Sequence, residues 1–272
     1  MMSSNPINQL VIGTKGAGEI ASAVAWRLHK ANIRRIFMLE IPDPQAVRRE
    51  VSFCEAIHEG SKTIEGLEAV KVDSVEGVRG AWDKGKIAVL ADTEWREKIR
   101  PDVMVDAILA KKNLGTTTED APLVIGLGPG FVAGKDVHIV IETKRGHNLG
   151  KIITSGSAER NTGIPGSIKG YTAKRVLRAP VSGVFRTRRA ISDAVRCGDV
   201  VGVVEETEVY AEISGIIRGL IRPGVRVTRG LKIGDIDPRG NADYCHTISD
   251  KARAISGSVL EAILRLYNSE SE

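Results

Sequence analysis

An internal repeat is the feature of this sequence that most constrains its fold. Residues 179–206 align with residues 211–238 at a shift of 32 positions, so that Ser182 matches Ser214 and Gly183 matches Gly215. Short apolar runs separated by glycine turns are typical of β-strands. Each half is too small to bury its own apolar face, so the two halves must pack together. The repeat therefore predicts an all-β barrel-sandwich hybrid domain of the lipoyl and biotinyl type.

The hairpin between the two halves lacks the residue that a carrier domain needs. Lipoyl and biotinyl carriers attach their prosthetic group to a lysine here, whereas this chain has Glu205, Glu206, Thr207 and Glu208. None of these side chains offers an amine for amide formation. We therefore expect a module that is structural or binds through its surface, and not a covalent carrier.

A glycine-rich turn near the start of the chain predicts a second kind of domain. The apolar run QLVIG reads as a strand, and TKGAGEIASAVAWRLHKANI reads as an amphipathic helix that follows it. The intervening Gly-x-Gly-x-x-Ala pattern resembles a dinucleotide fingerprint, in which glycines let the backbone approach a pyrophosphate. An acid about 20 residues further on would bind a ribose hydroxyl. Candidate nucleotide contacts are Gly13, Gly16, Gly18 and Glu40.

Two readings of this turn remain open. Glu19 places negative charge in the first helical turn, which disfavours phosphate. The turn can equally serve only to join a strand to a helix.

Strands and helices alternate up to about residue 142, which favours a Rossmann-like, doubly wound parallel sheet. Ligands of such sheets bind at the carboxyl ends of the strands. A second glycine cluster, Gly126, Gly128 and Gly130, follows a predicted strand and indicates a loop in close contact with another group. We expect it near the first turn, where Arg48 and Arg145 would complete an anionic pocket. His138, on the next strand, fits either a structural role or this site.

Composition narrows the remaining classes. Three cysteines without a Cys-x-x-Cys pair argue against a disulfide framework or a zinc site and favour the cytoplasm. A net charge of +5 with 4% aromatic residues argues against nucleic-acid binding. No apolar run approaches the roughly 20 residues of a membrane span. We expect no metal site, no membrane partner and a homo-oligomer.

These signals together divide the chain into three parts. Residues 1–155 are predicted to form a Rossmann-like domain of the nucleotide-binding type. Residues 170–240 are predicted to form the barrel-sandwich hybrid. Residues 241–272 are predicted to form a C-terminal helical segment, with Ser249 or Asp250 as its N-cap.

Five longer motifs resemble a known family. They are GTKGAGEIASAVAWRLHKA, EIPDPQAVRREVSFCEAIHEG, GLGPGFVAGKDVHIVIETKRGHNLG, GSAERNTGIPG and CHTISDKARAISG. Together they are similar to the YqeB-type accessory proteins of selenium-dependent molybdenum hydroxylases, over residues 9 to 266. The resemblance implies a role in maturing hydroxylases that carry molybdopterin cytosine dinucleotide and a labile selenium atom. It implies no catalytic residue.

Three functional hypotheses follow. The first is an accessory protein that binds a hydroxylase client or its nucleotide-bearing cofactor, either NAD-like or molybdopterin cytosine dinucleotide. The second is a nicotinamide-dependent oxidoreductase, for which the sequence offers no convincing acid–base group. The third is an interaction scaffold that retains a vestigial nucleotide fold.

Overall fold

The computed structural model describes residues 6–91 and 98–268, which divide into two compact units. Unit 1 comprises the described residues of Met1–Pro44, Ser52–Asn161 and Ile248–Glu272, and unit 2 comprises Gln45–Val51 and Thr162–Thr247. Each unit is therefore assembled from segments that are far apart in the sequence. None of the helices in the described ranges has the length and apolar character needed to cross a bilayer.

Unit 1 is built on a nine-stranded sheet. Its strands are β1 (Val11–Lys15), β2 (Arg35–Leu39), β3 (Ser61–Ile64), β4 (Leu67–Lys71), β5 (Ile87–Leu90), β6 (Val103–Asp106), β7 (Leu123–Leu127), β8 (Ile139–Ile141) and β9 (Ile152–Ile153). Their order in the sheet is β3-β4-β5-β2-β1-β6-β7-β8-β9. The strands from β4 to β8 in that order are parallel, whereas β3 and β9 pair antiparallel at the two edges.

The prediction of a Rossmann-like, doubly wound parallel sheet is wrong. The sheet is mixed, because a hairpin adds β3 beside β4 and a second turn adds β9 beside β8. The connections 107–122 and 128–138 contain no α-helix, although both residue ranges are fully described. Polar loops make these two connections, in agreement with the loop that the sequence predicts at Gly126–Gly130. Local apolar runs indicated the parallel strands but not the antiparallel strands at the two edges.

The α-helices are α1 (Glu19–Lys30), α2 (Ala56–Glu59), α3 (Val75–Asp83), α4 (Asp243–His246) and α5 (Asp250–Tyr267). In α1, Ile20, Val24 and Leu28 recur at four-residue spacing and are buried. The helix α5 begins at the predicted N-cap, where Ser249 Oγ accepts a hydrogen bond from the Ala252 N–H at 3.3 Å. It packs against α1 inside unit 1.

The stretch 43–60, DPQAVRREVSFCEAIHEG, has a local pattern that predicts one helix, and this prediction is wrong. It contains two short 3₁₀ turns, Arg49–Val51 and Phe53–Glu55, followed only by the four residues of α2. The chain passes from unit 1 to unit 2 and back within this stretch. In unit 2, the Arg49 guanidinium donates to the Leu220 carbonyl at 2.8 Å. Tertiary contacts therefore override the local helical pattern.

Unit 2 contains two four-stranded antiparallel sheets. Its strands are β10 (Val176–Arg178), β11 (Gly183–Arg186), β12 (Ala194–Val195), β13 (Val200–Val204), β14 (Thr207–Tyr210), β15 (Gly215–Leu220), β16 (Arg226–Val227) and β17 (Lys232–Asp237). The sheet orders are β10-β17-β15-β12 and β14-β13-β11-β16.

The sequence repeat is visible in these sheets. The strands β15, β16 and β17 each begin 32 positions after β11, β12 and β13. The halves also exchange strands, since β12 pairs with β15 and β16 pairs with β11.

The further prediction of a lipoyl- or biotinyl-like barrel-sandwich hybrid is wrong. What the described residues show is a pair of antiparallel sheets, extended by β10 and by the β13–β14 hairpin. Strands in register with turn glycines identify a repeat, but they do not specify how its sheets join.

Candidate functional site

The loops that leave the parallel strands of unit 1 meet at one edge of the sheet. The strands β2, β1, β6 and β7 are consecutive neighbours and point the same way. Their carboxyl ends therefore lie side by side. We call this edge of the sheet the carboxyl edge. The chain leaves β1 for β2 on one side, whereas β6 lies on the other side. In open α/β sheets, the crevice at such a reversal is the usual ligand site.

The predicted glycine turn lies at this edge, between β1 and α1. Gly16 has φ +88°, and a Cβ atom there would lie 3.3 Å from the Ala107 carbonyl oxygen and from the Ile108 backbone. Gly18 is the N-cap of α1 and has no atom within 4 Å of the position its Cβ would take. The backbone therefore requires glycine at position 16, whereas Gly18 borders open space.

Two carboxylates border the turn. Glu40 Oε2 accepts the Ala17 N–H at 2.8 Å, and Glu40 Oε1 accepts the Ile41 N–H at 2.9 Å. Glu19 Oε1 accepts the Ser249 hydroxyl at 2.9 Å. Negative charge next to a helix N-terminus satisfies the helix dipole and repels a further anion. The turn is therefore electrostatically unfavourable for phosphate.

Next to the turn lies a buried polar network that the sequence did not reveal. It comprises Lys15, Asp106, Thr116 and Asp120, and we call it the Lys15 cluster. Lys15 Nζ lies 2.5 Å from Asp120 Oδ2 and 2.6 Å from Thr116 Oγ1. The Thr116 hydroxyl in turn donates to Asp106 Oδ2 at 2.6 Å. The four side chains thus form one continuous network of hydrogen bonds across two neighbouring strands.

Sheet register explains half of this cluster. Lys15 ends β1, Asp106 ends β6, and the two are paired in the parallel ladder. The other two members come from the loop after β6, where Asn113 Oδ1 accepts the N–H groups of Gly115 and Thr116. The sequence signal for Lys15 and Asp106 was a charged residue at the end of each of two apolar strands. No local signal could have identified Thr116 or Asp120.

The loop 107–117 also has unusual backbone and surface properties. Leu109 and Lys111 have φ +59° and +62°, which non-glycine residues rarely adopt. Large apolar side chains are exposed along the carboxyl edge in the loops after β2, β6 and β7. They are Ile41 at 58%, Ile108 at 43%, Leu114 at 55% and Val132 at 36%. This edge thus combines a buried polar network with exposed apolar groups.

The second glycine cluster packs against the chain itself. A Cβ at Gly128 would lie 2.4 Å from Thr143 Oγ1, and one at Gly130 would lie 2.7 Å from the Lys112 backbone. At Gly126 it would lie 2.6 Å from the Phe131 ring. The close approach expected from the sequence is therefore made to neighbouring loops. The Gly130–Lys112 contact joins this loop to the one that carries Thr116.

The remaining predicted site residues occupy other surroundings. Gly13 lies inside β1, where a Cβ would come within 2.7 Å of the Phe37 ring. Arg145 forms a bidentate pair with Asp250, with N–O distances of 2.7 and 2.9 Å. Arg48 lies in unit 2, buried, and donates to the Tyr244 carbonyl at 3.0 Å. As ligand contacts, all of the predicted site residues stay predictions.

His138 lies directly before β8 and accepts a hydrogen bond from β7. The Val124 N–H donates to His138 Nδ1 at 3.0 Å, and burial lowers the pKa of this histidine. The neutral ring is thus engaged in a structural contact between neighbouring strands.

Within residues 6–91 and 98–268, no group of three or more His, Cys, Asp or Glu side chains is arranged to hold a metal ion.

Sequence comparison identifies a curated protein that is similar to nearly the whole chain. No family model matches the chain. The chain is 46% identical over 270 residues to the uncharacterised protein YqeB of Escherichia coli K12. The alignment covers 98% of this chain and 50% of YqeB. The chain thus spans about half the length of the curated relative it matches.

Comparison with solved structures finds only distant likenesses. An aspartoacylase family protein from Mesorhizobium loti aligns with 83% of this chain and 84% of its own, at 12% identity and a TM-score of 0.28. A succinylglutamate desuccinylase from a Silicibacter species aligns with 84% of each chain, at 12% identity and a TM-score of 0.26. A succinylglutamate desuccinylase/aspartoacylase from Rhodobacter sphaeroides aligns with 24% of this chain and 22% of its own, at 26% identity and a TM-score of 0.22. At these TM-scores, no activity carries over to this chain.

These comparisons correct the functional predictions. These three solved structures are described as aspartoacylase and desuccinylase proteins, and not as hydroxylase accessory proteins or nicotinamide oxidoreductases. The predicted role in maturing selenium-dependent molybdenum hydroxylases is therefore wrong, as is the oxidoreductase alternative. The nucleotide-binding Rossmann unit predicted with them, of which the vestigial scaffold was a variant, is not retained either. Cytoplasmic location and homo-oligomerisation stay predictions.

What the sequence resemblance established is narrower than what it implied. The similarity to YqeB extends over nearly the whole chain and is confirmed at 46% identity. This chain is similar to the uncharacterised protein YqeB.

Proposed function

We propose that this chain binds a small, uncharged molecule that bears hydroxyl or carbonyl oxygens at the carboxyl edge of unit 1. The observation that carries this proposal is the Lys15 cluster. Lys15 ends β1 beside the chain reversal, at the position where open α/β sheets usually bind ligands. A buried polar network at this position has the character of a binding site.

The ammonium of Lys15 supplies the polar contact. An ammonium has three donors, and the described part of the chain fills two of them, with Asp120 and Thr116. The lysine side chain is 12% exposed, whereas that of Asp120 is 2% exposed. Lys15 can therefore direct its third N–H towards an acceptor oxygen of a ligand while its position is fixed from behind.

Charge selects against anionic ligands at this edge. Around the glycine turn and inside the Lys15 cluster, the four carboxylates of Asp106, Asp120, Glu40 and Glu19 outnumber the one ammonium of the cluster, while Lys111 and Lys112 lie exposed in the neighbouring loop. A phosphate or polycarboxylate would meet this excess of negative charge. A neutral molecule with hydroxyl or carbonyl groups would not, and an apolar part of it would cover exposed side chains such as Ile108.

A thermal denaturation screen tests the proposal. The wild type is mixed with polyols, sugars, amides and short hydroxyl-bearing amides, and separately with phosphates and polycarboxylates. A ligand present at ten times its Kd stabilises the folded state by about 1.4 kcal/mol. For a unit of this size that raises the Tm by about 3–6 °C.

The control variants separate this site from others. In the double variant Lys15→Met with Asp120→Asn, which removes both charges together, the shift should disappear. Lys135→Met makes the same substitution at an exposed turn and should preserve the ligand-induced rise in Tm. A screen in which only polyanions stabilise the protein would contradict the proposal, as would a shift that persists in the double variant.

A further inference from the structure

A second candidate site lies at the opposite, amino edge of the same sheet. A cavity of about 920 Å³ is lined by residues that precede the parallel strands. Asn8 and Gln9 come before β1, while Asn32, Arg34 and Arg35 lie at the start of β2. Arg79, Trp82 and Asp83 come from α3, which precedes β5. The volume lies within the range of about 300–1,000 Å³ that is common for small-molecule sites.

The cavity is strongly basic. Arg34, Arg35 and Arg79 face a single acidic lining residue, Asp83. None of these three arginines forms an ion pair with a carboxylate in the described ranges. Glu76 lies one turn before Arg79 on α3, where hydrogen bonds and the charge of Arg79 lower its pKa. Guanidinium groups that are not neutralised by the protein favour an anionic ligand.

Several lining side chains are already oriented. The Arg34 guanidinium donates to Asn32 Oδ1 at 2.8 Å, and Asn32 has φ +66°. The Arg35 guanidinium donates to the Gln9 carbonyl at 3.4 Å. The Trp82 indole N–H donates to the Ile36 carbonyl at 2.8 Å, which fixes the ring. Less side-chain entropy is then lost when a ligand binds.

We propose that this cavity binds a small soluble anion carrying a phosphate group with at least two negative charges. Three arginines around one cavity match the several acceptor oxygens of phosphate, which accept bidentate hydrogen bonds. All three arginines are exposed to solvent. The attraction between them and the anion therefore weakens when added salt shortens the Debye length. The site is independent of the carboxyl edge, and each can fail its test without affecting the other.

Calorimetric titration of the full chain with inorganic pyrophosphate at low ionic strength tests this inference. We expect saturable binding that weakens as salt is added. Arg34→Gln and Arg79→Gln should each reduce affinity about tenfold, the effect of losing one charge-assisted hydrogen bond. Arg160→Gln, at an exposed loop position of unit 1 outside the cavity, should bind like the wild type. Equal melting temperatures for all four proteins would exclude a folding defect.

Several outcomes would overturn the inference. One is the absence of binding by the wild type at millimolar pyrophosphate. Another is unchanged affinity in both cavity variants. A short RNA that binds more tightly than pyrophosphate would indicate a macromolecular partner instead. Binding to phosphatidic acid vesicles that pyrophosphate does not displace would indicate a lipid surface.

Discussion

The Lys15–Asp120 pair should be one of the most sensitive points in unit 1. Lys15→Met keeps the length of the side chain but removes the ammonium that lies 2.5 Å from the Asp120 carboxylate. The two side chains are only 12% and 2% exposed, so water cannot solvate the Asp120 carboxylate that is left without its partner. The variant also removes the hydrogen bond that Lys15 Nζ donates to Thr116 Oγ1.

The expected cost follows from this burial. Breaking a buried ion pair by removing one partner costs about 3–5 kcal/mol. An exposed pair contributes only about 0–1 kcal/mol. Against a typical unfolding free energy of about 5–15 kcal/mol, the buried case removes a large fraction of the stability of the unit. The double variant Lys15→Met with Asp120→Asn removes both charges and should cost only about 1–2 kcal/mol.

Tryptophan fluorescence in urea measures this effect in unit 1 alone. Trp26 and Trp82 lie in unit 1, Trp95 lies outside the described residues, and the residue ranges of unit 2 contain no tryptophan. With a urea dependence of about 1–3 kcal/mol per molar, the Lys15→Met midpoint should fall by more than about 1 M. Lys135→Met, at an exposed turn, should change it by less than about 0.5 kcal/mol. A Lys15→Met cost below about 1 kcal/mol would refute the burial of this pair.

Three further outcomes can be measured in the same way. Gly16→Ala should destabilise unit 1 by more than about 1 kcal/mol in urea, because φ is +88° there and the 107–108 backbone is close, whereas Gly18→Ala should be nearly neutral. Ser249→Ala should lower stability by about 1 kcal/mol through loss of the N-cap of α5, and Ser249→Thr, which keeps the acceptor oxygen and the hydroxyl that donates to Glu19, should restore most of it. Because burial lowers the pKa of His138 below 6.5, the unfolded state binds its proton more tightly, so stability is full above that pH and falls as pH drops below it. Fluorescence-monitored unfolding from pH 7 to 5 should show this loss, and His138→Gln should reduce it.

Local patterns predicted individual strands and helices correctly, but not the fold that they build. The strand–turn–helix from β1 to α1, the strands that follow and the helix α5 with its Ser249 cap all agree with the structure. Each depends on periodic apolar residues or on a capping residue, which act over a few positions. The mixed sheet and the short 3₁₀ turns of the stretch 43–60 were missed, because tertiary contacts decide them.

The candidate site was predictable only in part. The sequence located the Gly16–Gly18 turn and the loop at Gly126–Gly130, but it assigned their close contacts to a ligand. In the structure, the chain itself makes the close contacts at Gly16 and in the Gly126–Gly130 loop, whereas Gly18 borders open space. The Lys15 cluster escaped prediction, since Asp120 reaches Lys15 across 105 residues and a loop without periodic structure.

The pairing of α1 with α5 has a consequence for the order in which the protein can be made. Arg27 on α1 donates to Ser256 on α5, and the two helices pack face to face, yet 220 residues separate the end of one from the start of the other. At about 5–20 residues per second, a ribosome needs roughly 10–40 s to cover that interval. Residues 162–247 are complete before α5 emerges, so the contacts between α1 and α5 form only after unit 2 has been synthesised. Unit 1, which begins to be synthesised first, is therefore the last to close.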